Sequence, residues 1–216
     1  MKDRRLDDTL SYIRVLNFLS KLANQIIQEK DRLNSMDAAC GDGDFGTSMY
    51  IAFSNVRKTL EESHDDIGAL LTSAGYSILS SVGGASGALF GTFFVEAGKH
   101  AKDKTEVDLT DLAIMFDASM KKIQTRGEAQ VGDKTLIDSL EPAVRALQES
   151  VKAESTIVSA LEKAATVAES GYESTKNLVA KHGRSRYLGE QTLGHADPGA
   201  YVMVLVFKTL AGTQNA

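Results

Sequence analysis

The chain has 216 residues, a net charge of -5, 43% hydrophobic and 25% charged residues, a balance that suits one globular domain spanning 1–216. No basic stripe interleaved with aromatics is present, which argues against nucleic-acid binding, and the single cysteine, Cys40, excludes an intramolecular disulfide. The N-terminal MKDRRLDD lacks the apolar stretch of a signal peptide and no apolar run reaches the roughly 18 residues of a membrane span, so a cytoplasmic location is expected.

Apolar residues recur at helical spacing along most of the chain. Tyr12, Val15, Leu16, Leu19, Leu22, Ala23, Ile26 and Ile27 predict a first helix. Met49, Ala52, Phe53, Val56 and Leu60 predict a second, and Ile67, Leu70, Leu71, Ala74, Ile78 and Leu79 a third. A fourth is expected from about Ser86 to His100, and a fifth from near Thr110, its predicted cap, to just before Gly127. The sixth starts at Thr135 and is kinked at Pro142, or else starts nearer Asp138. The seventh runs from Thr156 to His182, and the eighth follows Pro198, well suited to a first helical turn. No period-2 strand stands out. The expected fold is all-α: eight helices in an antiparallel barrel or bundle, with functional loops at the rim.

Three joints are too rich in Gly, Asp and Ser for simple turns: Asp37–Gly46, Ser80–Gly87 and Gly183–Gly199. The first places Asp37, Asp42 and Asp44 within eight residues, separated by glycines. Converging carboxylates repel unless a hard divalent cation neutralises them, and oxygen ligands suit Mg²⁺ or Ca²⁺. An EF-hand is excluded, because its twelfth position would need Glu and falls on Ser48 or Phe53. The alternative is a solvated acidic turn capping the next helix.

Gly46, Thr47 and Ser48 open the second helix beside the aspartates, a natural place for phosphate oxygens. Ser80, Ser81 and Gly84 belong to a loop offering free N–H groups and hydroxyls at a helix start, which favours phosphate over a plain joint. The stretch from Gly127 to Thr135 imitates a P-loop, but Asp133 intrudes before Lys134 and no strand precedes it. Thr135 is then a helix cap and Lys134 an exposed or site-facing cation. Arg184 and Arg186 suit phosphate recognition. His182 and His195 stand at no readable spacing from a nucleophile.

Gly41-Asp42-Gly43-Asp44, Ser80 through Gly87, Gly132-Asp133-Lys134-Thr135, Tyr187-Leu188-Gly189-Glu190 and Gly194 through Gly199 together resemble the L subunit of bacterial dihydroxyacetone kinases. The resemblance runs from about Leu33 to the C-terminus. It implies an eight-helix antiparallel barrel that binds ADP or ATP at one rim. It implies two Mg²⁺ ions on Asp37, Asp42 and Asp44, bridging the phosphates. It places nucleotide contacts at Phe45 through Ser48, Ser80, Ser81, Gly84, Gly127, Leu136, Arg184, Asp197, Pro198 and Gly199. It also implies a sugar-binding K-type partner subunit, with phosphoryl supplied either by an M-type phosphoprotein or by free ATP; a homodimer is left open. No nucleophile is expected in this chain. Phe45 departs from the histidine or cysteine of many such subunits, and an aromatic ring there is expected to stack on or wall the base. The rival readings are a stand-alone Mg²⁺-dependent nucleotide hydrolase and a non-enzymatic metal-binding module.

Overall fold

The structure is a computed structural model that describes residues 8–213; the N-terminal expectation above rests mostly on residues outside that range. Nine α-helices occur among the described residues. They are α1 (Tyr12–Gln28), α2 (Lys30–Ala38), α3 (Phe45–Thr59), α4 (Ile67–Ser81), α5 (Gly84–His100), α6 (Leu109–Gly127), α7 (Ile137–Lys152), α8 (Ile157–Ser174) and α9 (Pro198–Gly212). Every predicted helix is present. The added one, α2, buries only Leu33, so its sequence carries no apolar stripe to reveal it.

Eight helices close into a ring: α1 packs on α3, each helix from α3 to α8 on the next, and α9 returns to α1. α2 lies outside this order and packs chiefly on α3. Alternation around the ring brings the N-termini of α3, α5, α7 and α9 to one rim. Phe45 at the start of α3 packs edge-on against Phe90 of α5, 6.2 Å between ring centres. The interior is filled by interlocking aromatics from α5, α6 and α9, with Phe93, Phe116 and Phe207 in succession. Burying each such ring fully contributes about 1.5–3 kcal/mol over exposure. α4 and α5 approach so closely that a methyl on Gly75 would lie 2.7 Å from the Gly91 carbonyl.

Three details differ from expectation, and a fourth decides between two predicted starts. Two three-residue strands, β1 (Thr9–Ser11) and β2 (Glu106–Asp108), pair antiparallel at the end opposite the rim, with Leu10 opposite Val107. They are too short to show a period. α6 is capped by Asp108, in a reciprocal box with Asp111, and not by Thr110; such caps contribute about 1 kcal/mol. α7 starts at Ile137, favouring the later of the two predicted starts. The carbonyl of Asp138, which Pro142 leaves without its helical N–H, faces Gly171 of α8, where a methyl would come within 2.0 Å of it. α8 ends at Ser174 and not at His182. The Thr175 hydroxyl donates to the Tyr172 carbonyl at 2.6 Å and Lys134 takes the Thr175 carbonyl, after which Leu178 is extended.

Candidate functional site

The aspartate loop joins α2 to α3. Asp37 sits in the last turn of α2, Asp42 in the turn, and Asp44 directly before α3. Each offers an oxygen within 4.8 Å of the others. Asp37 does double duty: one of its oxygens accepts the backbone N–H of Asp44 at 3.0 Å and of Phe45 at 3.2 Å. Its other oxygen turns toward Gly41, where a methyl would lie 2.4 Å away, so a larger residue there would push the Asp37 carboxylate aside. Gly43 supplies the left-handed turn at φ 75° that brings Asp44 round. Three carboxylates at this spacing, two of them exposed, fit a hard divalent cation that keeps some of its water.

The loop is braced by Asn34, which sequence reasoning missed. Its side-chain oxygen accepts the Thr47 N–H at 2.9 Å and its amide donates to the Thr47 hydroxyl at 3.1 Å. The signal was its place one turn before Asp37, hidden because α2 has no periodicity. Gly46 lies buried against α2, where an added methyl would meet the Lys30 carbonyl at 2.0 Å. The Phe45 ring points into the core against Phe90 and is 9% exposed. The predicted stacking on a base is corrected here: the ring is part of the barrel, and what it shows the loop is its backbone. Thr47 and Ser48 remain half-buried beside the carboxylates.

The Ser80 and Ser81 hydroxyls bond back to the Ser77 and Ile78 carbonyls of their own helix. Open space surrounds Gly83 and Gly84, so the start of α5 presents bare backbone. Gly127, at the end of α6, lies beside Leu89 of α5. Leu136 is buried and packs against Gly199 at the start of α9. Pro198 occupies the first turn of that helix. The rim thus gathers several helix N-termini, whose partial positive charge attracts anions.

Across the rim, Arg184 reaches the aspartate loop and pairs with Asp42. Arg186 does not join it, but lies over the Tyr187 ring at 4.7 Å. Lys134, expected to be exposed or site-facing, is instead 5% exposed and donates to the carbonyls of Thr175 and His195. Thr135 is not the cap of α7. Leu136 holds that position, yet the Thr135 hydroxyl still accepts the N–H of Ile137, the first residue of α7, at 3.2 Å. Asp138, inside the first turn, ties the preceding loop down by accepting the N–H groups of Gly132 at 2.6 Å and Thr135 at 2.7 Å. His182 approaches Asp133 at 3.2 Å, and His195 contributes its carbonyl, so neither histidine faces a nucleophile.

Asp197 caps α9, accepting the Ala200 N–H at 2.7 Å. Burial pushes its carboxyl up to about 7; Asp138 and Asp37 push the same way, while Ala200 and Lys134 oppose. Between about pH 4 and pH 7 the folded, metal-free protein therefore holds a proton that the unfolded chain has lost. This group's contribution to stability falls as pH rises through that window. Asp197→Asn keeps a capping oxygen without the charge. Its stability relative to the parent is expected to grow between about pH 4 and pH 7 and then level off. Urea midpoints across that range check this; a constant difference would refute it.

A closed helical barrel with a carboxylate loop and four helix starts at one rim is a scaffold for an anionic ligand and a hard cation. Residues 39–212 match the DAK2 domain family, and the chain belongs to that family. It is 38% identical over 204 residues to the ADP-binding subunit DhaL of the PEP-dependent dihydroxyacetone kinase of Escherichia coli (strain K12), covering 94% of this chain and 97% of that one. It is 36% identical over 200 residues to the corresponding subunit of kinase 1 of Listeria innocua serovar 6a, covering 92% and 95%. Among solved structures, the dihydroxyacetone kinase of C. freundii in complex with AMP-PNP and Mg²⁺ matches with a TM-score of 0.69 at 27% identity. That match covers 92% of this chain and 33% of the other, so the chain spans a third of that kinase. No helix among the described residues is long and apolar enough to cross a membrane.

Proposed function

We propose that this chain, acting as one domain over 1–216, is the nucleotide-binding subunit of a kinase for dihydroxyacetone or a related small ketose, working in the cytoplasm. The observation that carries the reading is the convergence of Asp37, Asp42 and Asp44 at a rim of helix N-termini. In this reading the carboxylates hold two Mg²⁺ ions, which neutralise the charge of the nucleotide phosphates. Asp37 keeps its oxygen directed by capping α3. The open start of α5 at Gly83 and Gly84 receives phosphate oxygens on its N–H groups, and Ser80, Ser81, Thr47 and Ser48 line that side. Leu136, Gly127 and Gly199 wall the remainder. Arg184 releases Asp42 and turns its planar fork to phosphate, which it suits better than a point charge would.

The acceptor ketose sits on a separate K-type subunit, as the resemblance to dihydroxyacetone kinase L subunits implies. The terminal P–O bond of bound ATP breaks as a new one forms to the ketose hydroxyl, which gives up its proton to water or to a base on the K-type subunit, leaving ADP on this chain. Positioning and charge neutralisation suffice for such a transfer. The E. coli and Listeria relatives carry PEP dependence in their names, which favours an M-type phosphoprotein recharging the bound ADP over exchange with free ATP.

Melting of the purified chain with ADP or ATP, each with and without Mg²⁺, tests this. A ligand at a hundredfold excess over its Kd adds about 2.7 kcal/mol, or roughly 5–11 °C in Tm for a domain of this size. A rise that needs Mg²⁺ is expected. No rise with any nucleotide, once co-purified nucleotide is excluded, would reject the reading. Steady hydrolysis by the chain alone would favour the stand-alone hydrolase.

A further inference from the structure

Under the rim lies a charged dipeptide to which the proposed function gives no task. Asp133 and Lys134, in the loop between α6 and α7, are 4% and 5% exposed. Lys134 holds a left-handed backbone at φ 60°, a region long side chains rarely occupy and keep only where their surroundings fix them. Its ammonium donates to the Thr175 carbonyl at 2.6 Å and to the His195 carbonyl. Both acceptors are backbone. Compensating charge comes from farther off, from Asp197 and Asp138, against the burial that lowers the lysine's pKa. Methionine would fill much the same volume without the penalty of a buried cation, so the charge calls for a reason.

Asp133 grips the other side. One oxygen accepts the Lys181 ammonium at 2.8 Å, and the other accepts the Gln130 N–H at 2.8 Å and meets His182 at 3.2 Å. Its carbonyl accepts the Lys181 N–H at 3.2 Å. Burial alone would raise this carboxyl, but the bonds from Lys181, Gln130 and His182 hold it below its ordinary value.

Two adjacent side chains thus fasten both ends of one excursion of the chain, at 181–182 and at 195. Between those points runs the segment that carries Arg184, turned by left-handed glycines at 183, 189 and 194. Its C-terminal anchor leads directly into Asp197, whose N–H donates to the Thr175 hydroxyl at 2.9 Å. Lys134 therefore ties the end of α8 to the start of α9, and Asp133 ties the start of the Arg184 segment to the same loop.

We infer that Asp133-Lys134 is a positioning clamp: it holds the 183–194 segment against the rim so that Arg184 faces the aspartate loop and Asp197 stays at the start of α9. The inference rests on the nucleotide-binding reading above. Without the clamp, Arg184 has to be ordered at each binding event, and that ordering is subtracted from affinity.

The test is calorimetric titration of Mg-ADP into the parent and into Lys134→Met, Lys134→Arg and Asp133→Asn, at a temperature where each is fully folded. Supporting groups around a ligand or metal site lose about 10- to 100-fold in affinity when removed. Lys134→Met and Asp133→Asn are expected to weaken Mg-ADP by at least about tenfold. Lys134→Arg is expected to recover part of that loss, because it keeps the charge and its donors. Full-strength binding by Lys134→Met overturns the inference. If that variant shows no cooperative melting, full-strength binding by Asp133→Asn overturns it. Equal weakening by Lys134→Met and Lys134→Arg also overturns it, reducing the site to packing. A parent that binds no Mg-ADP is a different result: it removes the nucleotide reading itself.

Discussion

Asp42→Ala and Asp44→Ala are expected to abolish Mg²⁺-dependent nucleotide binding, with affinity falling by more than about 100-fold, the upper end of what outer-shell partners of a metal ligand contribute. The loss should be selective. Asp44 makes no side-chain cap bond to α3, and Asp42 is exposed, with Arg184 as its partner. Exposed pairs contribute only about 0–1 kcal/mol, and removing one of three like charges relieves repulsion. The nucleotide-free Tm of both variants is therefore expected to stay within a few degrees of the parent or to rise. Asp37→Ala should behave differently, because its oxygen satisfies two N–H groups at the start of α3. Losing such an acceptor costs about 1–3 kcal/mol, so this variant should lose both binding and stability. Melting curves and Mg-ADP titrations on the three variants check the pattern. Undiminished Mg²⁺-dependent binding in Asp42→Ala and Asp44→Ala would remove the metal assignment.

Gly46→Ala is the second large effect, and it should appear without any ligand. The added methyl would lie 2.0 Å from the Lys30 carbonyl and 2.7 Å from the Asn34 nitrogen. Both are backbone atoms of α2, so no side chain can swing aside. Overpacking typically costs about 1–3 kcal/mol, more where backbone must move. We expect at least about 3 kcal/mol, which lowers Tm by roughly 6–12 °C for a domain of this size. The Asn34 bonds to Thr47 would be lost with the shift of α2. An unchanged Tm combined with weakened nucleotide binding would show that Gly46 serves the ligand directly and not the seating of α2 on α3.

The helices that form the ring were legible because each buries an apolar stripe, and the spacing of Leu19, Leu22 and Ile26, or of Phe53 and Val56, states it outright. α2 was not legible, because its reason for being helical is polar: it delivers Asn34 and Asp37 to α3. The end of α8 was misjudged for a related cause. Periodicity carries on past Ser174, but the carbonyl of Thr175 is claimed by Lys134, a residue 41 positions away. The carboxylates of the site could be read from their spacing alone. The inward turn of Phe45 and the burial of Lys134 could not, since both depend on which helix lies behind them. The near P-loop around Gly132 follows a helix, α6, and not a strand, and its lysine binds backbone carbonyls in a way no local pattern announces.

A ring built from a linear chain has a seam, and here the seam runs between α1 and α9. It is fastened by the Thr209 hydroxyl on Gln25 of α1 and, from the adjoining α2, by Arg32, which donates to the Tyr201 hydroxyl at 2.6 Å while lying 4.2 Å over that ring. The carboxylate loop stands on one side of the seam and Asp197 on the other. A chain whose last helix has not yet docked already owns Asp37, Asp42 and Asp44, but lacks the opposite wall that completes the rim. The rim is thus complete only once α9 has closed the ring on α1.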